Sequence, residues 1–541
     1  MSNAQWRTPN PVNEPVLPYA PGSPERAALQ QTVQKMSAEQ IEIPLEIGGR
    51  EVRTGRIGKA TKPHAHKHVL ATFHMGGAAE VEAAAKAAAK AYPAWSTTPW
   101  VDRAAIFLKA AELLAGPWRQ RLNGSTMVGQ SKNPFQAEID AACEMIDFWR
   151  FNVRFMEEIY AEQPLSTSQT WNRSEYRPLE GFVLAVTPFN FTSIAGNLPT
   201  APAMMGNCVL WKPATTAVYS AHFIMQLLKE AGLPDGVINM VPGAGADVGD
   251  PAVAHRDFSG LHFTGSTGVF NGMWRKVAEN LPHYRGYPRL VGETGGKDFV
   301  FAHASADPLA LAVALVRGSF EYQGQKCSAA SRAYIPKSLW PKVRDLMGGM
   351  LAEMKLGPPE DFSNFVNAVI DQKAYKSIKA YIDHAKTSPD AKIVFGGDCD
   401  DREGWFIQPT VVETTNPNFK LLCEEIFGPV LTVFAYDDAK LDETLAACDA
   451  ASPYALTGAI FAQDRYALCK MTDALRHTAG NFYLNDKPTG AVVGQQPFGG
   501  GRASGTNDKA GSKLNLLRWT SARSIKETFV PPTTWKYPFL G

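Results

Sequence analysis

The sequence has no apolar run long enough to cross a bilayer. Its longest such stretches, PLALAVALV from Pro308 among them, stop far short of the ~20 residues that a span requires. The opening, MSNAQWRTPNPVNEPVLPYAPGSPER, is rich in proline and polar groups. It carries neither the apolar centre of a secretory signal nor the Arg- and Ser-rich amphipathic pattern of a transit peptide. A processed mature chain would read the same. Charge imbalance is missing too: 54 basic residues face 53 acidic ones, for a formal net charge of +1. That excludes the electrostatic footprint of a nucleic-acid or anionic-membrane binder. Cysteine is sparse, at seven, an odd count with no C-x-x-C pair. A disulfide framework or a zinc knuckle is thereby disfavoured, and a reducing compartment fits. His64, His66 and His68 alternate in KPHAHKHVL and would share one face of a strand. No carboxylate or thiol pattern nearby completes a metal site, so an exposed edge strand is expected, and no metal.

What is present is an ordinary globular balance, 45% apolar and 20% charged, over 541 residues, enough for two or three domains. Helical spacing comes first, in residues 78–95 and 101–116 and in a long pattern over 137–163. Short apolar strands then alternate with helices. GFVLAVTPF, GNCVLWKPA, VINMVPG and FSGLHFTG read as strands, and SAHFIMQLLKEAGLPDG as a helix stopped by Gly and Pro. A second alternating stretch opens near Lys297 with KDFVFAH, SRAYIP, PVLTVFAY and TGAIFAQD. The fold class is α/β, with βαβ units building open parallel sheets in two lobes and a ligand cleft between them. The tail NLLRWTSARSIKETFVPP reads as extended.

Short motifs carry the chemistry. VPGAGADVGD sets Gly243, Gly245 and Gly249 after a strand, but as G-x-G-x-x-x-G, one residue longer than the dinucleotide fingerprint; a plain loop is expected. LHFTGSTGVFNGMWRKVAEN is better placed. Its strand ends at Phe263, Gly265 turns, and Ser266 and Thr267 open an amphipathic helix that either caps itself or faces a pyrophosphate. LWKP puts Lys212 at a strand's C-terminal end, suited to ribose hydroxyls or simply to water. GETGGK is one residue short of a Walker A loop and has Asp298 where Ser or Thr is required. It does place Glu293 at the end of an apolar strand beside two glycines. YQGQKCSAAS surrounds Cys327 with small residues. A free cysteine is most often buried and inert, so this thinning needs a reason, and access to the sulfur is one.

TPFNF, LWKP, GETGGK and GQKCSA, then EEIFGPV from Glu424 and PFGGGRASG from Pro497, stand in that order. By these six separated motifs, over essentially the whole chain, the sequence resembles the aldehyde dehydrogenase superfamily. EYQGQKCSA, NFYLNDKPTGAVVGQQPFGG, RASGTNDK and NEPVLPYAPGSPER narrow the resemblance to members acting on L-glutamate γ-semialdehyde. It implies a Rossmann-like cofactor domain, an α/β catalytic domain and a small β oligomerisation flap. On that pattern residues 1–292 hold the N-terminal segment and cofactor domain, with strands near 168–181 in the flap. Residues 293–484 form the catalytic domain, and 485–541 return to the cofactor domain and flap. The implied activity is NAD-dependent oxidation of L-glutamate 5-semialdehyde, the open form of Δ1-pyrroline-5-carboxylate, to L-glutamate, the second step of proline catabolism. A homodimer or higher homo-oligomer is implied, with a small-molecule substrate. The compartment would be cytoplasmic in a bacterium and the mitochondrial matrix in a eukaryote.

The resemblance makes Cys327 the nucleophile. An aldehyde cannot release hydride until its carbon is tetrahedral, and a thiolate is the best side-chain nucleophile near pH 7. A thiohemiacetal and then a thioester form on the sulfur. Asn190 and the Cys327 N–H hold the oxyanion, and Glu293 activates the hydrolytic water. For the cofactor, the resemblance gives Lys212 the adenosine ribose and Thr187 backbone-level contacts. Gly265, Ser266, Thr267, Gly268 and Val269 take the pyrophosphate, Glu425 the nicotinamide ribose, and Phe427 packs near the nicotinamide. Ser328, Gly490 and Ala491 would grip the substrate carboxylate, Phe191 and Phe498 flank its stem, and Glu144 lies near the aldehyde. Ala491 replaces a serine found in some relatives, so main-chain N–H must serve there. After LWKP stand Ala214, Thr215 and Thr216, where many NAD-preferring relatives carry an acidic residue that would repel a 2′-phosphate. Another semialdehyde dehydrogenase, such as one for succinic semialdehyde, and a non-catalytic binding protein remain alternatives. A cysteine hydrolase lacks its signature, and a fused proline dehydrogenase barrel would need about 250 further residues.

Overall fold

The computed structural model describes residues 4–541. Among the described residues, two seven-stranded sheets organise the chain. The first runs, in spatial order, through Arg289–Glu293, Phe258–Thr264, Phe182–Val186, Cys208–Lys212, Ile238–Met240, Leu45–Ile47 and Arg50–Val52. The first five are parallel, and the last two add antiparallel strands at one edge. Helices cover a parallel sheet on both faces, which is why its strands read as unbroken apolar runs and not as alternation. Cys208–Lys212 is buried at every position. The order reverses beside Phe182–Val186: the chain steps outward to 208–212 and 238–240, then returns to lay 258–264 on the other side. Ligands of such sheets collect beyond the strand C-termini at that reversal. Thr187, Lys212 and Gly265 stand there.

The second sheet runs through Ala391–Phe395, Thr410–Thr414, Val430–Tyr436, Ala330–Pro336, Asp298–Ala302, Thr457–Phe461 and Asn481–Leu484. Only its first strand is antiparallel. Its two faces feed different cores, as a period of two requires: Val300 and Ala302 join one, Phe299 and Phe301 the other. A returning segment stitches the sheets together. Gly499 N–H donates to Asn481 Oδ1 at 3.1 Å, and further along Thr294 N–H donates to Ser504 O at 2.9 Å. Thr170–Pro178 and Thr520–Thr528 form a separate antiparallel ribbon.

Four expectations are corrected. Ala65–His74 is the central strand of a three-stranded sheet and not an edge, and His64 precedes it. His64 is buried, with Nε2 3.0 Å from Glu360 Oε1 and Nδ1 3.1 Å from Ser131 Oγ. Glu360, half-buried, also takes Lys62 Nζ at 2.7 Å, so this histidine belongs to a polar cluster turned inward from the sheet. VPGAGADVGD does not stay a loop, because the helix Gly245–Ala254 starts inside it. The pattern over 137–163 is not one regular helix: a π-helical turn, Glu138–Glu144, precedes Met145–Ala161. Such a turn re-aims side chains, here three carboxylates. The tail is extended only from Thr520, since Lys513–Leu517 before it is helical.

Candidate active site

Two features at the first sheet's mouth fit a dinucleotide. The helix Thr267–Asn280 opens at Ser266, whose side chain makes no capping hydrogen bond among the described residues. A Cβ on Gly268 would meet nothing within 4 Å, so the helix's first turn borders open space, and the first N–H groups of any helix lack intrahelical partners, as binding a pyrophosphate requires. Lys212 is buried, and the one hydrogen bond of its ammonium among the described residues is to Pro213 O at 3.2 Å. Burial pulls its pKa down to about 8. An ammonium held by a single carbonyl and no carboxylate has N–H donors left over for ligand hydroxyls. The hydroxyls of the neighbouring threonines are already engaged. Thr187 Oγ1 accepts Trp211 Nε1–H at 2.9 Å, and Thr267 Oγ1 donates to Ala503 O at 3.4 Å. Val269 is exposed on the same turn.

Across the cleft, Glu425 Oε1 accepts the Gly296 N–H at 2.9 Å, and burial raises its pKa. Phe427 holds a left-handed φ of 57° and meets Phe189 edge-on at 5.9 Å between centroids. Thus the loop before Val430–Tyr436 brings a carboxylate and an aromatic ring to face the first sheet's mouth.

Cys327 lies on the loop that enters Ala330–Pro336, and part of its surface is open. The loop is strongly over-determined. Tyr322 and Gln323 adopt φ of 51° and 55°, a conformation costing on the order of 1–3 kcal/mol for a non-glycine residue. Gly324 follows at φ +65°, and a Cβ there would fall 2.2 Å from Gly428 O, so only glycine fits. The Gln323 amide donates to Ser131 O and Ala368 O, each at 2.9 Å, and accepts Asn367 N–H at 2.9 Å. Gln325 Oε1 takes Ile370 N–H at 2.9 Å. Gln325 O accepts Asn190 Nδ2–H at 3.1 Å, which fastens that buried amide to the thiol loop. A Cβ on Gly296 would lie 2.3 Å from Cys327 O, so the GETGGK turn packs directly on the cysteine backbone.

Glu293 ends the strand Arg289–Glu293, and its Oε2 is buried with no hydrogen-bond partner among the described residues. Burial raises its pKa well above 4.5; Lys509 and the Gly500 N–H pull it down, and Asp508 pushes it up. The Cys327 thiol is pushed far up, first by burial and then by Asp298, Glu293 and Glu425. That environment favours the protonated form of the sulfur at neutral pH. Asp298 is itself raised to about 8 by burial, so it adds little negative field at pH 7.

Deeper in, Lys132 and Asp140 form a fully buried pair at 2.7 Å. The ammonium lies 4.2 Å from the Phe191 ring centre and 4.4 Å from that of Tyr322. Asp140 accepts the Thr192 and Ser193 N–H groups, each at 2.9 Å, at the start of the helix Thr192–Met204. Glu144 Oε2 accepts Ser193 Oγ–H at 2.9 Å. Burial and then Asp140 raise Glu144 to about 8, so it is mainly a neutral acid at pH 7. Ser328 Oγ donates to Thr489 Oγ1 at 2.9 Å, one residue before Gly490, whose φ is +99°. Half-buried Phe498 pairs with Ala510 through backbone bonds of 2.9 and 2.8 Å. Ala491 is half-buried on the same loop as Gly490.

Gln325, Thr489, Lys132, Asp140 and Lys509 escaped sequence reading. Lys509 lay inside RASGTNDK, and its Nζ donates to Gly480 O at 2.8 Å and Gly499 O at 3.1 Å, clamping the segment beside Glu293. Gln325 and Thr489 also lay inside quoted motifs, Asp140 within a helix taken as regular and Lys132 just before it, and none carried a signal of its own.

A family model described as "Aldehyde dehydrogenase family" matches residues 53–525. A Dictyostelium discoideum protein, "Delta-1-pyrroline-5-carboxylate dehydrogenase, mitochondrial", is 54% identical over 540 residues, covering 99% of this chain and 97% of that one. The Bos taurus protein of the same name is 49% identical over 530 residues, with coverages of 98% and 94%. Among solved structures, the Mycobacterium tuberculosis Delta-pyrroline-5-carboxylate dehydrogenase bound with NAD superposes with a TM-score of 0.97, at 52% identity and 100% of both chains.

Proposed function

The chain belongs to the aldehyde dehydrogenase family, and from that premise we infer that it oxidises L-glutamate 5-semialdehyde to L-glutamate with NAD. The observation that supports this most is the meeting of Cys327, Asn190 and Glu293 at a mouth whose helix N-terminus and Lys212 suit a dinucleotide. Lys212, the turn 265–269, Thr187, Glu425 and Phe427 would hold NAD, which when bound supplies the acceptor for the substrate's hydride.

The residues act as follows. Cys327 Sγ attacks the aldehyde carbon, an S–C bond forms, and the thiol proton passes to water, which reaches the partly exposed residue. The carbonyl π pair moves to oxygen, where the Asn190 amide and the Cys327 N–H stabilise it. Re-forming that C=O as hydride departs leaves a thioester on the sulfur. Glu293 then takes a proton from water, the hydroxide adds, and the C–S bond breaks; the acid proton so formed passes to the sulfur, releasing carboxylate and restoring the thiol. The loop around Thr489, Gly490 and Ala491 would grip the substrate's distal carboxylate. Ser328 tethers that loop.

Asn190→Ala is expected to lower kcat roughly 10²–10³-fold, the loss of about 2.7–4 kcal/mol for one oxyanion donor. A melting curve near wild type separates this from loosening of the Gln325 loop. A base works only when deprotonated, so a raised Glu293 pKa makes hydrolysis fall as pH drops through that raised value. The acid limb of kcat should therefore sit clearly above 4.5, and Glu293→Gln should remove it. A limb at the ordinary carboxylate value would contradict the assignment.

The substrate is tested by comparing kcat/KM for glutamate semialdehyde and succinic semialdehyde; a preference for the latter would overturn the reading. We further assign residues 1–292 to the cofactor domain, 293–484 to the catalytic domain and 485–541 to the returning segment. The ribbon of Thr170–Pro178 and Thr520–Thr528, with Trp171 and Phe529 exposed, supports a homodimer, to be checked by sedimentation. In a eukaryote the protein would reside in the mitochondrial matrix, and in a bacterium in the cytoplasm.

A further inference from the structure

The NEPV stretch near the N-terminus has no part in the chemistry above, yet its first residue joins a helix to a distant loop. Asn13 Nδ2 donates to Asp147 Oδ2 on the helix Met145–Ala161 and to Val493 O, both at 2.8 Å. Its Oδ1 accepts Gln495 Nε2–H at 2.9 Å. Glu14 N–H reaches the other oxygen of Asp147 at 2.7 Å, and the Glu14 carboxylate pairs with Arg150 at 2.7 Å. The segment is therefore fixed to the helix on one side. On the other it holds the loop that follows Gly490 and Ala491. Gly494 of that loop lies so close to the helix that a Cβ would fall 2.1 Å from the Phe151 ring.

We infer that Asn13 is a positioning residue for substrate specificity: it fixes the 489–496 loop against the helix Met145–Ala161, so that the loop presents its N–H groups to the substrate's distal carboxylate. This rests on the proposed reading of that loop. Asn13 touches neither Cys327 nor Glu293 through any hydrogen bond among the described residues, so the acylation and hydrolysis steps do not depend on it. Its effect should appear only with substrates that carry the carboxylate.

The test compares glutamate semialdehyde with propanal, which has the aldehyde but no carboxylate, for wild type, Asn13→Ala and Gln495→Ala. Asn13→Ala is expected to raise KM for glutamate semialdehyde roughly tenfold, the loss of about one to two net hydrogen bonds, with kcat held within about twofold. kcat/KM for propanal should not change. Gln495→Ala, which removes only the loop's own bond to Asn13, should raise KM in the same selective way by a smaller factor. It also carries the test if Asn13→Ala fails to fold. A merely structural role would lower both substrates' kcat/KM in step with the fraction of folded enzyme; that result, or an unchanged KM in both variants, overturns the inference. A wild type that does not favour glutamate semialdehyde over propanal would instead overturn the reading of the loop.

Discussion

Cys327→Ser should lose NAD reduction by roughly a thousandfold or more, with an unchanged melting curve. The size follows from the chemistry of the two atoms. A hydroxyl is a far weaker nucleophile than a sulfur at neutral pH, and no base stands beside Cys327 in a state to activate it. Burial raises the pKa of Glu293 and lifts that of Asp298 to about 8, which weakens both as bases toward an alcohol, and burial with nearby carboxyls already works against an anion at that position. A thiol can overcome this because its ordinary pKa lies near 8.5; an alcohol cannot. The fold should tolerate the change, because the loop is held by Gln323, Gln325 and Gly324 and not by the sulfur. Full activity in the serine variant would remove the nucleophile from the account.

Glu293→Gln is expected to separate the two halves of the reaction. Thioester formation needs the sulfur and the oxyanion donors, so one equivalent of NADH per site should appear in a rapid burst. Hydrolysis needs the base, so the following steady rate should fall by roughly 10²–10⁴-fold. The glutamine keeps the volume and the Gly500 contact while removing the proton acceptor. Stopped-flow absorbance at the NADH band measures both phases. A variant with no burst would place Glu293 in the first half, and one with a wild-type steady rate would take it out of the mechanism.

Much of this was legible in the chain. The parallel sheets announced themselves as short apolar runs between helices, and the turn after Phe263 and the carboxylate closing RLVGE could be placed on strand ends from spacing alone. What stayed hidden depends on contacts between residues far apart. Asn190 and Gln325 meet across 135 positions, and Asn13 meets Val493 across 480. The π turn at Glu138–Glu144 shares its composition with an ordinary helix, so the redirection of Asp140 and Glu144 left no trace in the pattern. The histidine run misled for a related reason: His64 is drawn inward by Glu360, nearly three hundred residues away. The upward push on the Cys327 thiol was equally invisible, since it follows first from burial and then from carboxyl groups that converge only after folding.

The most direct test is mass spectrometry of the Glu293→Gln variant, mixed with NAD and glutamate semialdehyde and quenched in acid within the burst. A covalent chemistry at sulfur predicts an intact mass increased by one glutamyl acyl group, and a peptide map that places it on Cys327. An unmodified protein, or the adduct on any other residue, would contradict it.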